Sequence, residues 1–236
     1  MLPSAPGRMY THSIKFREPT LIDIISQNFW TPIDKVPIHP LYNIPDLEDP
    51  PGTIDWPAFR GAFKQFRSHD LLANSQPESS DITSSSVFDA TLPDELLAEW
   101  RSRFRQLKEE RIRQGIKIEW RIVEGFVLYY EPEIIKDLDV AILLRSPGHI
   151  LKKRNNGRQY QHSDGTVWVA SPEHWDRISY PAYIRGHAHL FQNEDVERGS
   201  PVDSFGLTIL DGEGTERNMT LEEFFTTAAS TILRAS

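Results

Sequence analysis

Two stretches decide the fold: Ile116-Lys117-Ile118-Glu119-Trp120-Arg121-Ile122-Val123-Glu124-Gly125-Phe126 and, further on, Val140-Ala141-Ile142-Leu143-Leu144. In the first, Ile116, Ile118, Trp120 and Ile122 recur every second residue, which predicts a strand within residues 116–130. The second is continuously apolar, as expected of a strand covered on both faces of a parallel sheet. Leu21-Ile22-Asp23-Ile24-Ile25-Ser26 and Phe205-Gly206-Leu207-Thr208-Ile209-Leu210 read the same way. Helical patterns lie between them. Phe59, Ala62, Phe63 and Phe66 follow Asp55-Trp56-Pro57, and Asp55 is a candidate N-cap. Leu96, Leu97, Trp100, Phe104 and Leu107 form one stripe that opens at Pro93-Asp94-Glu95 and stops at Gly115. Residues 147–154 can form a short helix. Thr220-x-x-Glu223 is a capping box ahead of Leu221, Phe224, Phe225 and Ile232. Strands alternating with helices predict an α/β layered fold with a mainly parallel sheet. Ligands in such folds sit beyond the carboxyl ends of the strands, here residues 26–32, 124–130 and 145–158.

The 236 residues suit a single domain over 1–236, and an apolar fraction of 39% can fill its core. The balance of 26 Lys and Arg against 34 Asp and Glu gives a formal charge of −8. That charge disfavours sequence-independent nucleic-acid binding. Without cysteine, disulfides, thiolate metal sites and a Cys nucleophile are excluded. No apolar run approaches the ~18 residues of a membrane span, and the amino terminus lacks a signal-peptide core. A soluble, cytoplasmic protein without membrane or nucleic-acid partners is expected. Oligomeric state is not legible. Residues 31–57 carry seven prolines and read as an ordered loop. Residues 74–90 are Ser-rich and read as a solvated, flexible insertion.

Several side chains could carry chemistry. Glu124 ends a strand just before Gly125, where a carboxylate can hold a metal–water shell or a substrate hydroxyl; a strand-end salt bridge is the alternative. Arg145, Lys152, Lys153, Arg154 and Arg158 gather positive charge suited to phosphate oxygens, or simply form a solvated helix face. Asp55 either caps its helix or binds a ligand. His187-x-His189 is weak support for a metal, since two His on a helix point to different faces. No Gly-x-Ser-x-Gly elbow supports a hydrolase.

Four segments in order resemble the nicotinamide riboside kinases, especially the fungal members of this uridine-kinase-like P-loop group. They are Ile25-Ser26-Gln27-Asn28-Phe29-Trp30-Thr31-Pro32; Val36-Pro37-Ile38-His39-Pro40 through Pro51-Gly52-Thr53-Ile54-Asp55-Trp56-Pro57; Val123-Glu124-Gly125-Phe126-Val127-Leu128; and Lys152-Lys153-Arg154-Asn155-Asn156-Gly157-Arg158 with Gly165-Thr166-Val167-Trp168 and Tyr180-Pro181-Ala182-Tyr183. The resemblance implies a P-loop-kinase-like three-layer fold with a lid-like segment over 147–176. It also implies the family reaction, transfer of the γ-phosphoryl of ATP, with Mg²⁺, to the 5′-hydroxyl of nicotinamide riboside in NAD biosynthesis. By resemblance Asp55, Trp56 and Tyr130 bind the nucleoside, and Glu124 lies at the magnesium. Lys152, Lys153, Arg154 and Arg158 are then lid cations.

Two positions depart from the pattern. The family's G-x-x-x-x-G-K-[ST] loop, whose amides cradle phosphates, has no counterpart: there is no Gly-Lys dipeptide in the chain. The family's catalytic Asp aligns with Asn28, an amide that cannot take a proton, and loss of a positioned base costs about 10²–10⁴ in rate. The expectation is a degenerate or truncated nicotinamide-riboside-kinase-like protein, with the N-terminal strand and phosphate loop missing or replaced and no activity as given. The alternatives are a nucleoside-binding or scaffolding pseudokinase, and a fragment of a complete active ribonucleoside kinase missing its first exon.

Overall fold

The structure is a computed structural model that describes residues 22–25, 29–68, 92–118, 120–125, 127–156, 159–161, 167–169 and 172–236. The readings for the N-terminal stretch, for Gln27 and Asn28, for the Ser-rich segment and for Arg158 lie outside those residues.

Strand β1 (Ile22–Ile25) is followed by the proline-rich segment. That segment is ordered, as its composition predicts, but it is not wholly a loop. Pro50–Thr53 forms a helical turn, α1, because Pro is pre-organised for a first helical position and the Asp49 side chain caps the turn through Gly52 N–H. Helix α2 (Trp56–Ser68) buries Trp56, Phe59, Phe63 and Phe66 on one face. Asp55 does cap it, with Oδ1 accepting from Ala58 N–H at 3.0 Å. Helix α3 (Asp94–Arg113) ends at Gly115, whose φ of +75° is the left-handed conformation that glycine adopts without penalty.

Strand β2 (Arg121–Glu124) is shorter than the alternation over 116–122 predicts. Ile116–Ile118 is not extended into it. Ile116 N–H is taken by Arg111 O at 2.8 Å, so these residues finish the helix end, and Ile116 stays exposed. Trp120 packs edge-on against Phe104 of α3 instead of marking a strand face. Helix α4 (Pro132–Lys136) leads to strand β3 (Ala141–Arg145). Helix α5 (Gly148–Asn155) covers the residues expected to be helical over 147–154. A small antiparallel pair, β4 (Gln159–Gln161) and β5 (Val167–Val169), follows. Then come α6 (Pro172–His174), a π-helical turn (Trp175–Ser179) and α7 (Tyr180–His187). Strand β6 (Leu207–Asp211) begins after Gly206, and α8 (Leu221–Ala235) opens with the complete Thr220–Glu223 capping box. Leu221, which the pattern places on the apolar face, is exposed, because that face is centred on Phe225, Ala228 and Ala229.

The architecture is α/β with parallel pairing, as expected. β1 pairs with β2 and β3 pairs with β6, both parallel. Most of the core joins α2, the 127–135 segment, β3 and α7, and α3 packs on α8 through Trp100, Phe225 and Ala229. Tyr129 serves β3 directly. Its hydroxyl donates to Ile142 O (2.8 Å) and accepts from Ile142 N–H (3.0 Å), and burial pushes its pKa up to about 12. Among the described residues no helix is long and apolar enough to cross a membrane.

His187 closes α7 inside the core. One ring nitrogen donates to Tyr183 O at 2.8 Å. Burial, opposed by that hydrogen bond and assisted by nearby His189, pulls its pKa down to about 4. The folded protein therefore holds this imidazole neutral while the unfolded chain protonates it near pH ~6.5. Stability is unaffected by this group above pH ~6.5, falls as the pH drops toward about 4, and levels off below that. The expected loss is on the order of 3 kcal/mol. Denaturant titrations at pH 7 and pH 4 check this: His187→Gln should lose that much less than the parent, and an equal loss in both would refute the assignment.

Candidate functional site

The parallel register sets Ile25 beside Glu124 at the carboxyl ends of β1 and β2. Four residues past Ile25, Phe29 O accepts from Asp55 N–H at 2.8 Å, and Thr31 N–H donates to Thr53 O at 2.9 Å. Trp30 and Ile54 form an antiparallel bridge. The proline-rich segment is thereby folded back so that Asp55 stands on a ledge against Phe29. One oxygen of Asp55 caps α2, and its carboxylate is exposed with no other partner among the described residues.

Trp56 follows at once. It is 4% exposed and its indole N–H donates to Pro50 O at 2.9 Å. It is a wall beneath the ledge. Its ring lies 5.5 Å from that of Tyr130, which is half-buried and whose hydroxyl has no partner among the described residues. Tyr130 is aimed by the turn before it. Val127 holds φ +46°, a left-handed conformation that a β-branched residue adopts only under strain, and it is buried against the core. His189 supports the same turn by hydrogen-bonding Tyr129 O at 2.9 Å. Glu124 is half-buried and has no ion-pair partner among the described residues.

The basic cluster divides. Arg145 is not part of it. It is buried at the end of β3, with Nε 2.7 Å and Nη2 3.1 Å from the two carboxylate oxygens of Asp211, its register partner, and Nη1 2.6 Å from Gly199 O. A charge run read from sequence cannot reveal that one member has a buried carboxylate waiting 66 residues away. On α5, Lys152 pairs with Asp176 at 2.7 Å and Arg154 with Glu213 at 3.1 Å. Lys153 is exposed without a partner among the described residues. The amino end of α5 is clamped by Glu197, which accepts from Gly148 N–H at 2.8 Å and from the Tyr180 hydroxyl. Burial and that carboxylate both raise the Tyr180 pKa. A Cβ at Gly148 would lie 2.6 Å from the Tyr180 ring, so only glycine fits there.

The structure sets Asp55 immediately before Trp56, packs Trp56 against Tyr130, ends β2 at Glu124, and carries Lys152, Lys153 and Arg154 on α5. The Glu197 clamp and the strained Val127 were missed from sequence. Neither has a local signal, since Val127 is an ordinary apolar residue in the pattern and Glu197 acts 49 residues from its helix.

No protein-family model matches the chain. Curated proteins do. A nicotinamide riboside kinase of Saccharomyces cerevisiae is 29% identical over 185 residues, 77% of this chain and 72% of that protein. One from Eremothecium gossypii is 28% identical over 170 residues, 72% of this chain and 66% of that protein. This chain is thus similar to fungal nicotinamide riboside kinases. A third nicotinamide riboside kinase, from Schizosaccharomyces pombe, is 31% identical over 74 residues, covering 31% of this chain and 32% of its own length. About a third of each longer-matching kinase relative therefore lies outside its aligned region.

Proposed function

We propose that this chain forms the riboside-binding part of a nicotinamide-riboside-kinase-like protein, and that its 236 residues alone do not transfer phosphate. The reading rests on one arrangement: the exposed ledge carboxylate of Asp55 directly precedes Trp56, whose ring packs against that of Tyr130, and the Tyr130 hydroxyl has no partner among the described residues. A carboxylate accepts hydrogen bonds from vicinal ribose hydroxyls, and the Tyr130 ring offers an apolar face to a base.

The residues fit the family's cofactors only in part. Mg²⁺ keeps most of its waters and takes one or two carboxylates, a demand that Glu124 can meet. The triphosphate of ATP would supply the phosphoryl group in the family reaction. Of the described α5 cations, Lys152 and Arg154 already hold carboxylates, and the chain contains no Gly-Lys dipeptide to build a phosphate cradle. Phosphoryl transfer depends almost wholly on positioning and charge neutralisation, so a chain without that cradle should not turn over.

Two measurements test this. Nicotinamide riboside should raise the melting temperature, and Asp55→Asn should abolish the shift. Asn caps helices as well as Asp, so the variant's own stability should change by only a few tenths of a kcal/mol. With ATP and Mg²⁺ added, no mononucleotide should form. Turnover near ~1 s⁻¹, the low end for kinases, would overturn the inactivity, and a shift that persists in Asp55→Asn would overturn the site.

A further inference from the structure

A cavity of about 250 Å³ opens between the proline-rich segment and the turn that joins α6 to α7. Ile33, Ile44, Leu47 and Ile178 supply apolar walls, and Glu48 and His174 are its polar groups. Glu48 is 7% exposed. Its Oε1 accepts from the Ser179 hydroxyl at 2.7 Å and from His174 Nε2 at 3.0 Å. Both donors converge on one oxygen. The other, Oε2, has no hydrogen-bond partner among the described residues, yet it is not sealed from solvent. A carboxylate carries about four lone-pair sites, and one withdrawn from bulk water is strongly disfavoured unless donors reach it. Ser179 and Ile178 belong to the π-helical turn, a conformation that recurs at functional sites.

We propose that this cavity binds a small planar organic cation, an aromatic or heteroaromatic ring that carries an amidinium-like group. The ring would lie among the isoleucine and leucine walls, and the N–H groups would donate to Glu48 Oε2. The volume admits one ring and a short substituent, below the ~300 Å³ at which sites for larger ligands begin. A positive charge suits the carboxylate oxygen that Ser179 and His174 leave unpartnered, and a flat apolar body suits the walls. The proposal uses none of Asp55, Tyr130 or Glu124, so it stands or falls separately from the riboside reading.

The probe is benzamidine, titrated against the full chain by protein-observed NMR, with benzoate as the isosteric anion. Benzamidine should bind with a dissociation constant of about 1 mM or tighter, and benzoate should not bind. Glu48→Gln removes the charge and should weaken benzamidine at least ~10-fold, the loss expected of a charge-assisted hydrogen bond. Ile44→Trp changes a wall residue that is already 41% exposed and should block the cavity without touching Glu48. If Glu48→Gln does not fold, Ile44→Trp and the benzoate comparison still decide. No benzamidine binding at ~10 mM, equal binding of benzoate, or unchanged binding in either folded variant would each overturn the proposal.

Discussion

Arg145→Ala should lower the melting temperature by about 10 °C. The guanidinium grips both oxygens of Asp211 and also Gly199 O, and its head lies 5.3 Å from the Phe191 ring centroid. The two charged side chains are only 9% and 14% exposed. Removing the arginine leaves the Asp211 carboxylate buried and unpaired, which typically costs about 3–5 kcal/mol. For a chain of this size each kcal/mol is worth about 2–4 °C. Arg145→Lys should recover little, because an ammonium cannot make the two-pronged contact and reach Gly199 O together. The double variant Arg145→Leu with Asp211→Leu should be more stable than Arg145→Ala, since a matched apolar pair strands no charge. Differential scanning calorimetry of the three variants checks this. A single variant within ~1 kcal/mol of the parent would show that the pair contributes no more than an exposed one.

Phe59→Ala should cost about 3–5 kcal/mol and also abolish riboside binding. Phe59 is fully buried at the centre of an aromatic cluster. Its ring lies 5.4 Å from Phe29, 5.9 Å from Trp56 and 6.2 Å from Phe63. The first two contacts matter for function as well as stability. Phe29 is the residue whose carbonyl pins Asp55, and Trp56 is the wall shared with Tyr130. A cavity at Phe59 therefore loosens the ledge and the wall together. Phe59→Leu, which keeps much of the volume, should retain most of the stability and a measurable riboside shift. Urea titration with and without nicotinamide riboside separates the two losses. If Phe59→Ala stays folded and still shows the parent's riboside shift, the coupling of cluster to ledge is wrong.

What sequence could show follows from how far its signals reach. The Thr220–Glu223 box, the Gly115 stop and the Asp55 cap were all legible, because each is completed within a few residues. The apolar run over 140–144 announced β3, because covering both faces of a strand leaves no room for polar residues. Ile116 and Ile118 misled because alternation over so few residues is satisfied equally well by a helix end. Arg145 misled because a cation near other cations looks solvated until its partner on a distant strand is known. At the candidate site, Asp55, Tyr130 and Glu124 were named from residue pattern and resemblance, and the ring contact between Trp56 and Tyr130 was not legible. The roles of Glu48, Ser179 and His174 were not legible, since they meet only when the proline-rich segment folds onto a turn some 126 residues later in the chain.

The phenol that bonds both backbone groups of Ile142 has a consequence for how copies of this chain meet one another. A strand margin with bare amides and carbonyls invites a foreign peptide to extend it, and that is a common route to fibrils. At Ile142 such an intruder would first have to evict Tyr129 from the interior. Self-templated stacking is therefore blocked there by a single side chain, in a crowded solution as much as in a dilute one.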